Sequence, residues 1–201
     1  MAALEDAMQT LKKLLMVSLR YTLITTLLLG LGYPLLVTAI AQRLWPDKAN
    51  GQLLMKDGVV IGSRLIGQPF SGPQYFHGRP SAAGNGYDAT ASGGSNLGPT
   101  NQKLVDRVAE SAKQEQDMNN AGPVPIDLVT ASASGLDPDI TPASAAYQAQ
   151  RIAQARGIAL NQVEELIEHH LTERQFGLLG ERRVNVLELN LALDAMQPRH
   201  K

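Results

Sequence analysis

The 201-residue chain contains no cysteine, which excludes disulfides and thiolate metal sites. It has no basic surplus: 18 Lys and Arg stand against 19 Asp and Glu. Nucleic acid, which calls for a basic face, is therefore not an expected partner. There is no Gly-x-Ser-x-Gly nucleophile elbow and no Gly-Lys-Ser/Thr phosphate loop, so two common hydrolase and nucleotide signatures are missing. The most informative absence is charge between residues 21 and 41, YTLITTLLLGLGYPLLVTAIA.

As a helix this stretch would reach roughly 31 Å, the thickness of a bilayer's hydrocarbon core. It predicts one transmembrane helix. Lys12, Lys13 and Arg20 precede it and only Arg43 follows closely, so the positive-inside rule keeps residues 1–20 as a cytoplasmic tail and sends the rest outside. Trp45 with Pro46 suits the outer interface. Ala39, Ile40 and Ala41 form a small-x-small site, but the apolar run is longer than the core of a cleaved signal peptide. Thr22, Thr26, Gly30, Pro34 and Thr38 recur at steps of four, a strip of small and polar residues that lets another helix backbone approach. It is a candidate docking face for a larger membrane partner. The same residue types are common in membrane helices at large, and Pro34 alone would read as a tolerated kink.

Residues 42–201 are enough for one domain with its own core. Apolar runs at Leu53 to Met55 and Val59 to Ile61 flank Asp57-Gly58, which predicts a hairpin with a type I′ turn. A bulge is expected near Gly62, with Leu65 and Ile66 prolonging the second strand. Residues 69–100 are dense in Gly, Ser, Asn and Pro, yet carry Tyr75, Phe76 and Tyr87, as an ordered functional loop would. A helix is expected over 101–119, capped by Thr100 or Asn101, with Leu104, Val105, Val108 and Ala112 inward. Residues 126–130 read as a short strand, and 130–142 as a second small-residue loop closed by Thr141 with Pro142 at the first helical position. Helices follow over 142–156 and 160–171. Gly157 stops the first, and Asn161 with Glu164 caps the second. VNVLELNLALDAM fits strand or helix, and Asn185 with Glu188 at capping-box spacing favours helix. The fold class is thus a single-pass membrane protein, one N-terminal transmembrane helix plus an α+β extracytoplasmic domain.

The residue types for chemistry concentrate in the loops. His77, Gly78 and Arg79, with Asp88, Ser92 and Ser95 downstream, contain the residue types of a nucleophilic triad. That permits a membrane-anchored periplasmic hydrolase, although hydrogen bonding within the loop is the commoner use of such residues. Ser92, Gly93, Gly94, Ser95 and Asn96 precede a helix and could cradle an anion. Asp137 and Asp139 could bind a hard cation, but Asp-Pro-Asp more often makes a turn. His169 and His170 lack metal-ligand spacing. No catalytic residue, metal site or covalently bound cofactor is expected.

Five stretches resemble one family: GSRLIGQPF from Gly62, YFHGRPSA from Tyr75, ASGGSNLGP from Ala91, LVTASASGLDPDITPASA from Leu128 and VNVLELNLALD from Val184. In that order behind one span, they are similar to the C subunit of the Kdp potassium-transporting ATPase, KdpC. The first 15 or so residues, the Asp88 region and residues 171–182 lie outside those words. The resemblance implies a non-catalytic inner-membrane subunit of an ATP-driven potassium importer, partnered by a channel-like subunit and a P-type ATPase subunit. It implies a role in assembly and stability, and in raising the ATPase subunit's affinity for ATP. The loops discussed for that effect correspond here to residues 92–96 and to 132–137, with Ser134, Gly135, Leu136 and Asp137. The charge argument places both loops outside and ATP inside, so the partner subunit binds ATP and any effect from this chain is indirect.

Overall fold

The computed structural model describes residues 1–196 and divides into two compact units, Met1–Gln52 and the chain from Leu53 onward. In the first, α1 (Ala2–Thr25), a π-helical turn (Thr26–Gly32) and α2 (Tyr33–Leu44) form one continuous helix. Residues Leu4–Leu44 are long and apolar enough to cross a membrane. At about 1.5 Å per residue this rod is roughly twice as long as the hydrocarbon core needs.

The π turn has a local cause. Pro34 has no N–H, and its ring would collide with the carbonyl of Gly30 in a regular α-helix. The preceding turn widens, and Tyr33 N–H donates to Leu28, five residues back. Two hydroxyls in the rod are satisfied within it, as an apolar solvent favours: Thr25 Oγ1 donates to Tyr21 O at 2.8 Å and Ser18 Oγ to Leu14 O at 2.9 Å. The rod ends at Trp45, whose backbone leaves the helical region, and α3 (Pro46–Ala49) makes one further turn. Gln42 and Asn50 pair amide to amide across it.

The second unit begins with β1 (Leu53–Lys56) and β2 (Val59–Ser63), paired antiparallel. Asp57 and Gly58 both have positive φ, 52° and 78°, as a type I′ turn requires. Leu54 faces Gly62 while Met55 faces Val60, so the bulge residue is Ile61, one place before the glycine. Leu65 and Ile66 do not extend β2. Ser63 turns the chain instead, its Oγ accepting from Leu65 N at 3.1 Å and its carbonyl from Ile66 N at 3.3 Å.

Helix α4 (Gln102–Asn119) is capped by Asn101, which accepts from Lys103 N, and ends at Asn120 in the left-handed region. Val105 lies half exposed rather than inward. The strand expected at 126–130 is a 3₁₀ turn, Ile126–Leu128. Asp127 is drawn into the interior by Thr141 and Ser144, which bends the backbone and leaves Ile126 in solvent.

The strand β3 (Asp139–Ile140) leads into α5 (Pro142–Arg156), with Thr141 accepting from Ser144 N and Pro142 in the first turn. Gly157 at φ 66° stops α5. Helix α6 (Leu160–His169) starts two residues earlier than Asn161 could cap: Ala159 is the N-cap, and its N–H is taken by Gln162 Oε1 at 3.2 Å. Then come β4 (Leu171–Thr172), β5 (Arg183–Asn185) and α7 (Val186–Met196). The ambiguous last segment is both structures in turn, and Asn185 caps the helix by accepting from Glu188 N at 3.1 Å.

The three short strands form an antiparallel sheet in the order β3-β5-β4, with Val184 paired to Ile140 on one side and Leu171 on the other. Val184, Ile140, Ile152, Val163, Leu189 and Leu193 are almost wholly buried and share one core with Phe76. Burying each such aliphatic side chain contributes about 1.5–3 kcal/mol. Phe76 comes from the glycine-rich loop, so that loop is anchored in the core itself.

Candidate functional site

The loop of residues 69–100 has no strand partner, and buried side-chain amides take that role. Phe76 N donates to Asn190 Oδ1 at 2.8 Å, and Phe76 O accepts from Asn190 Nδ2 at 2.9 Å. Gln148 does the same for His77, at 2.8 Å and 3.1 Å. Gln148 and Asn190 are both essentially inaccessible to solvent. An amide has the donor and acceptor of a peptide group, so each mimics a strand's pairing edge. Arg151 completes the grip: Nη1 donates to Pro73 O and Tyr75 O, Nη2 to Gln148 and Nε to Asn119. Burial pulls the Arg151 guanidinium below its ordinary pKa, with Glu115 opposing. Tyr75 stacks under Arg156, 5.0 Å from its ring centre, and both reach Asp194.

The two glycine- and serine-rich loops are joined along a seam. Gly93 N and Ser92 Oγ both donate to Ser134 O, at 3.0 Å and 2.9 Å. Ser81 Oγ donates to Gly135 O at 2.5 Å, and Gly135 N to Ser132 Oγ at 2.8 Å. Ser134 Oγ accepts from Leu136 N, and Leu136 O from Gly67 N. One position requires glycine and a second leaves little room for a side chain. Gly135 has φ 67°, and a Cβ there would lie 2.7 Å from Ala83 N; at Gly94 it would lie 3.1 Å from Ala133 O. Asn96 adopts the left-handed region at φ 53°.

Arg79 ties the same loops by charge, with Nη1 2.8 Å from Asp137 Oδ2. Beside it lies an open cleft of about 200 Å³ lined by Asp127, Asp139 and Arg183 among others. Each of these charges has a partner in the structure: Asp127 with Thr141 and Ser144, Asp139 with Arg183. Gly78 is pressed against the Tyr87 hydroxyl, which donates to Arg79 O. Burial, reinforced by the Asp137 charge and opposed by Arg79, pushes the Tyr87 pKa up to about 12.

His77 Nε2 lies 3.0 Å from Gly72 O. Burial and then the nearby Arg151 charge lower its pKa, against the carbonyl's opposing pull. The ring is thus held neutral, donating from Nε2. Among the described residues, no hydrogen bond joins His77 to Ser92 or Ser95, and Ser92 spends its proton on Ser134 O. The hydrolase arrangement is not assembled. Of the amides that could face an anion here, Gly93 N is given to Ser134 O and Lys103 N, in the first turn of α4, to Asn101 Oδ1. Among the described residues, no group of three or more His, Asp or Glu is placed to hold a metal ion.

On the rod, Thr22, Thr26, Gly30, Pro34 and Thr38 all lie exposed. A step of four overshoots one α turn but falls short of one π turn. The widened segment therefore turns the strip back and keeps it straighter than a uniform α-helix would.

Reading from sequence did not find Asn190, Gln148, Arg151 or Asp127. Their signal was present as polar residues breaking apolar faces, Gln148 between Ala145 and Ile152 and Asn190 between Leu189 and Leu193.

These features define a class: a membrane-anchored protein with one span and an α+β domain whose polar loops are locked by their own side chains. A family model described as "KdpC: K+-transporting ATPase, c chain" matches residues 15–195. The chain is 58% identical to a Koribacter versatilis protein named "Potassium-transporting ATPase KdpC subunit", over 94% of this chain and 97% of that one. Proteins of the same name from Acidobacterium capsulatum and Mycobacterium tuberculosis are 62% and 53% identical, covering 88% and 92% of this chain and 95% and 100% of theirs. The chain belongs to the KdpC family.

Proposed function

We propose that this chain is the accessory subunit of an ATP-driven, high-affinity potassium import complex. It holds a channel-like potassium-translocating subunit and a P-type ATPase subunit in a working assembly. It lies in the inner membrane with residues 1–20 cytoplasmic, 21–41 spanning and 42–201 periplasmic, and it catalyses no reaction itself. The observation that carries this reading is the loop seam. Ser92, Ser134, Arg79, Asp137 and His77 are engaged with backbone or with one another, which suits a rigid scaffold rather than turnover.

The chain acts on ATP affinity without touching ATP. A subunit that binds one conformation of the ATPase better than another shifts the population, and nucleotide affinity follows by linkage.

The test measures the ATP KM of the complex with and without this chain, alongside photolabelling by an azido-ATP. A KM that rises on removal, with label confined to the ATPase subunit, supports the reading. An unchanged KM overturns it, and label on the domain of this chain overturns the indirect route. Orientation is checked with Lys113→Cys, an exposed site on α4 of an otherwise cysteine-free chain. A thiol reagent that does not cross the inner membrane labels it in intact cells if the domain is outside.

A further inference from the structure

Between β4 and β5 the chain runs out into a finger that ends in Phe176, Leu178 and Leu179, which are 84%, 81% and 59% exposed. The finger is built to stay put. Gln175 and Leu179 exchange two backbone hydrogen bonds at 2.9 Å, and Arg174–Glu181 and Arg182–Glu173 ion pairs cross the stalk at 2.5 Å and 2.8 Å. Phe176 sits at φ 56°, inside the turn closed by Gly177 N donating to Arg174 O, and Gly177 and Gly180 follow at φ 74° and 76°. A bulky residue in that region is strained. Three large apolar side chains are thus held in water on a hairpin closed by its own backbone pairing and strained at its tip, a geometry that presents them together as an anchor.

We propose that this finger seats its apolar tip in an uncharged socket on the extramembrane surface of a neighbouring subunit held beside it in the same membrane. The proposal rests on the subunit reading above. Charge and area choose the occupant. The stalk carries two basic and two acidic side chains paired to one another, so it presents no basic patch to anionic headgroups. The tip offers roughly 400 Å², about half of what each partner in a stable free-standing interface buries. It cannot by itself sustain a dimer of this chain. It suits a second contact made after the membrane anchor has already brought the partner close.

The test uses the intact complex. Leu178→Cys, on a cysteine-free chain, carries a benzophenone maleimide and is illuminated. A crosslink to another subunit supports the proposal. A crosslink to lipid only, to a second copy of this chain, or to nothing overturns it. In parallel, Phe176→Asp combined with Leu179→Asp is expected to speed loss of this chain from the solubilised complex by roughly tenfold or more, whereas Val105→Asp, on an exposed part of α4, leaves it unchanged. A parental rate in the double variant overturns the proposal. If the unaltered chain does not co-purify with ATPase subunits at all, the subunit reading falls and this one with it. Co-purification without a crosslink removes only the socket.

Discussion

Asn190 binds both polar backbone atoms of Phe76, a residue 114 positions earlier in the chain, at 2.8 Å and 2.9 Å. The side-chain amide stands where a neighbouring strand would. Replacing it by an isosteric hydrocarbon leaves a buried N–H and a buried C=O without partners, each costing about 1–3 kcal/mol.

Asn190→Leu is therefore expected to destabilise the chain by about 3 kcal/mol, lowering Tm by roughly 10 °C for a domain of this size. Thermal unfolding of the detergent-solubilised chain checks this. A loss below about 1 kcal/mol would show that the loop finds other partners.

Gly135→Ala tests the seam. The new methyl meets Ala83 while the backbone is held at positive φ. About 2 kcal/mol or more is expected to be lost, with faster protease cleavage in residues 81–96 than in α5. Cleavage at the parental rate would mean that the loops are not held by each other.

The His77 ring gives a pH dependence of known sign. Its folded pKa lies below the unfolded value of 6.5, so the unfolded state binds more protons between the two. Stability from this group is complete above about 6.5 and falls as the pH drops through that value towards the folded pKa. His77→Gln keeps a donor for Gly72 O and removes the titration. The difference in stability between parent and variant should therefore change with pH only on the acid side of about 6.5. Glu115 works in the opposite direction: burial raises its pKa, so its contribution falls as the pH rises above its unfolded value. A difference that is flat in pH would rule out the buried, neutral imidazole.

Gly30→Leu tests the strip on the span. A Cβ at Gly30 meets nothing closer than Thr26 Cγ2 at 3.7 Å, so the helix itself tolerates the change. A leucine there is expected to hold a partner helix away and to reduce recovery of this chain with the other subunits several-fold. Unaltered membrane insertion with unaltered recovery would show that the strip faces lipid.

Most of the regular structure was legible because its signals are local. Thr141-Pro142, Gly157 and Asp57-Gly58 each set a boundary through backbone chemistry confined to a few residues. Some misreadings were also local, as where Ser63 ends β2 and Ala159 caps α6, but one has a distant cause. Residues 126–130 look like a strand until Thr141 and Ser144 draw Asp127 inward. Val105 keeps helical spacing but lies half exposed. The glycine-rich loops were recognisable as ordered from their aromatics. Their partners Gln148 and Asn190 were not, since nothing in a helix's own pattern says which loop will need its amide. Arg79 was visible as a candidate, whereas its pairing with Asp137, 58 positions away, is a property of the fold.

The grip on Phe76 and His77 also has a consequence for osmotic stress. Two neutral amides hold these peptide units, and the single charge that reinforces them, Arg151, is buried. Counterions screen exposed charges over about 8–10 Å but do little to bonds of this kind. The hold on these two peptide units should then be indifferent to ionic strength, whereas the partly exposed Arg79–Asp137 pair that also ties the loops is the part that salt can loosen.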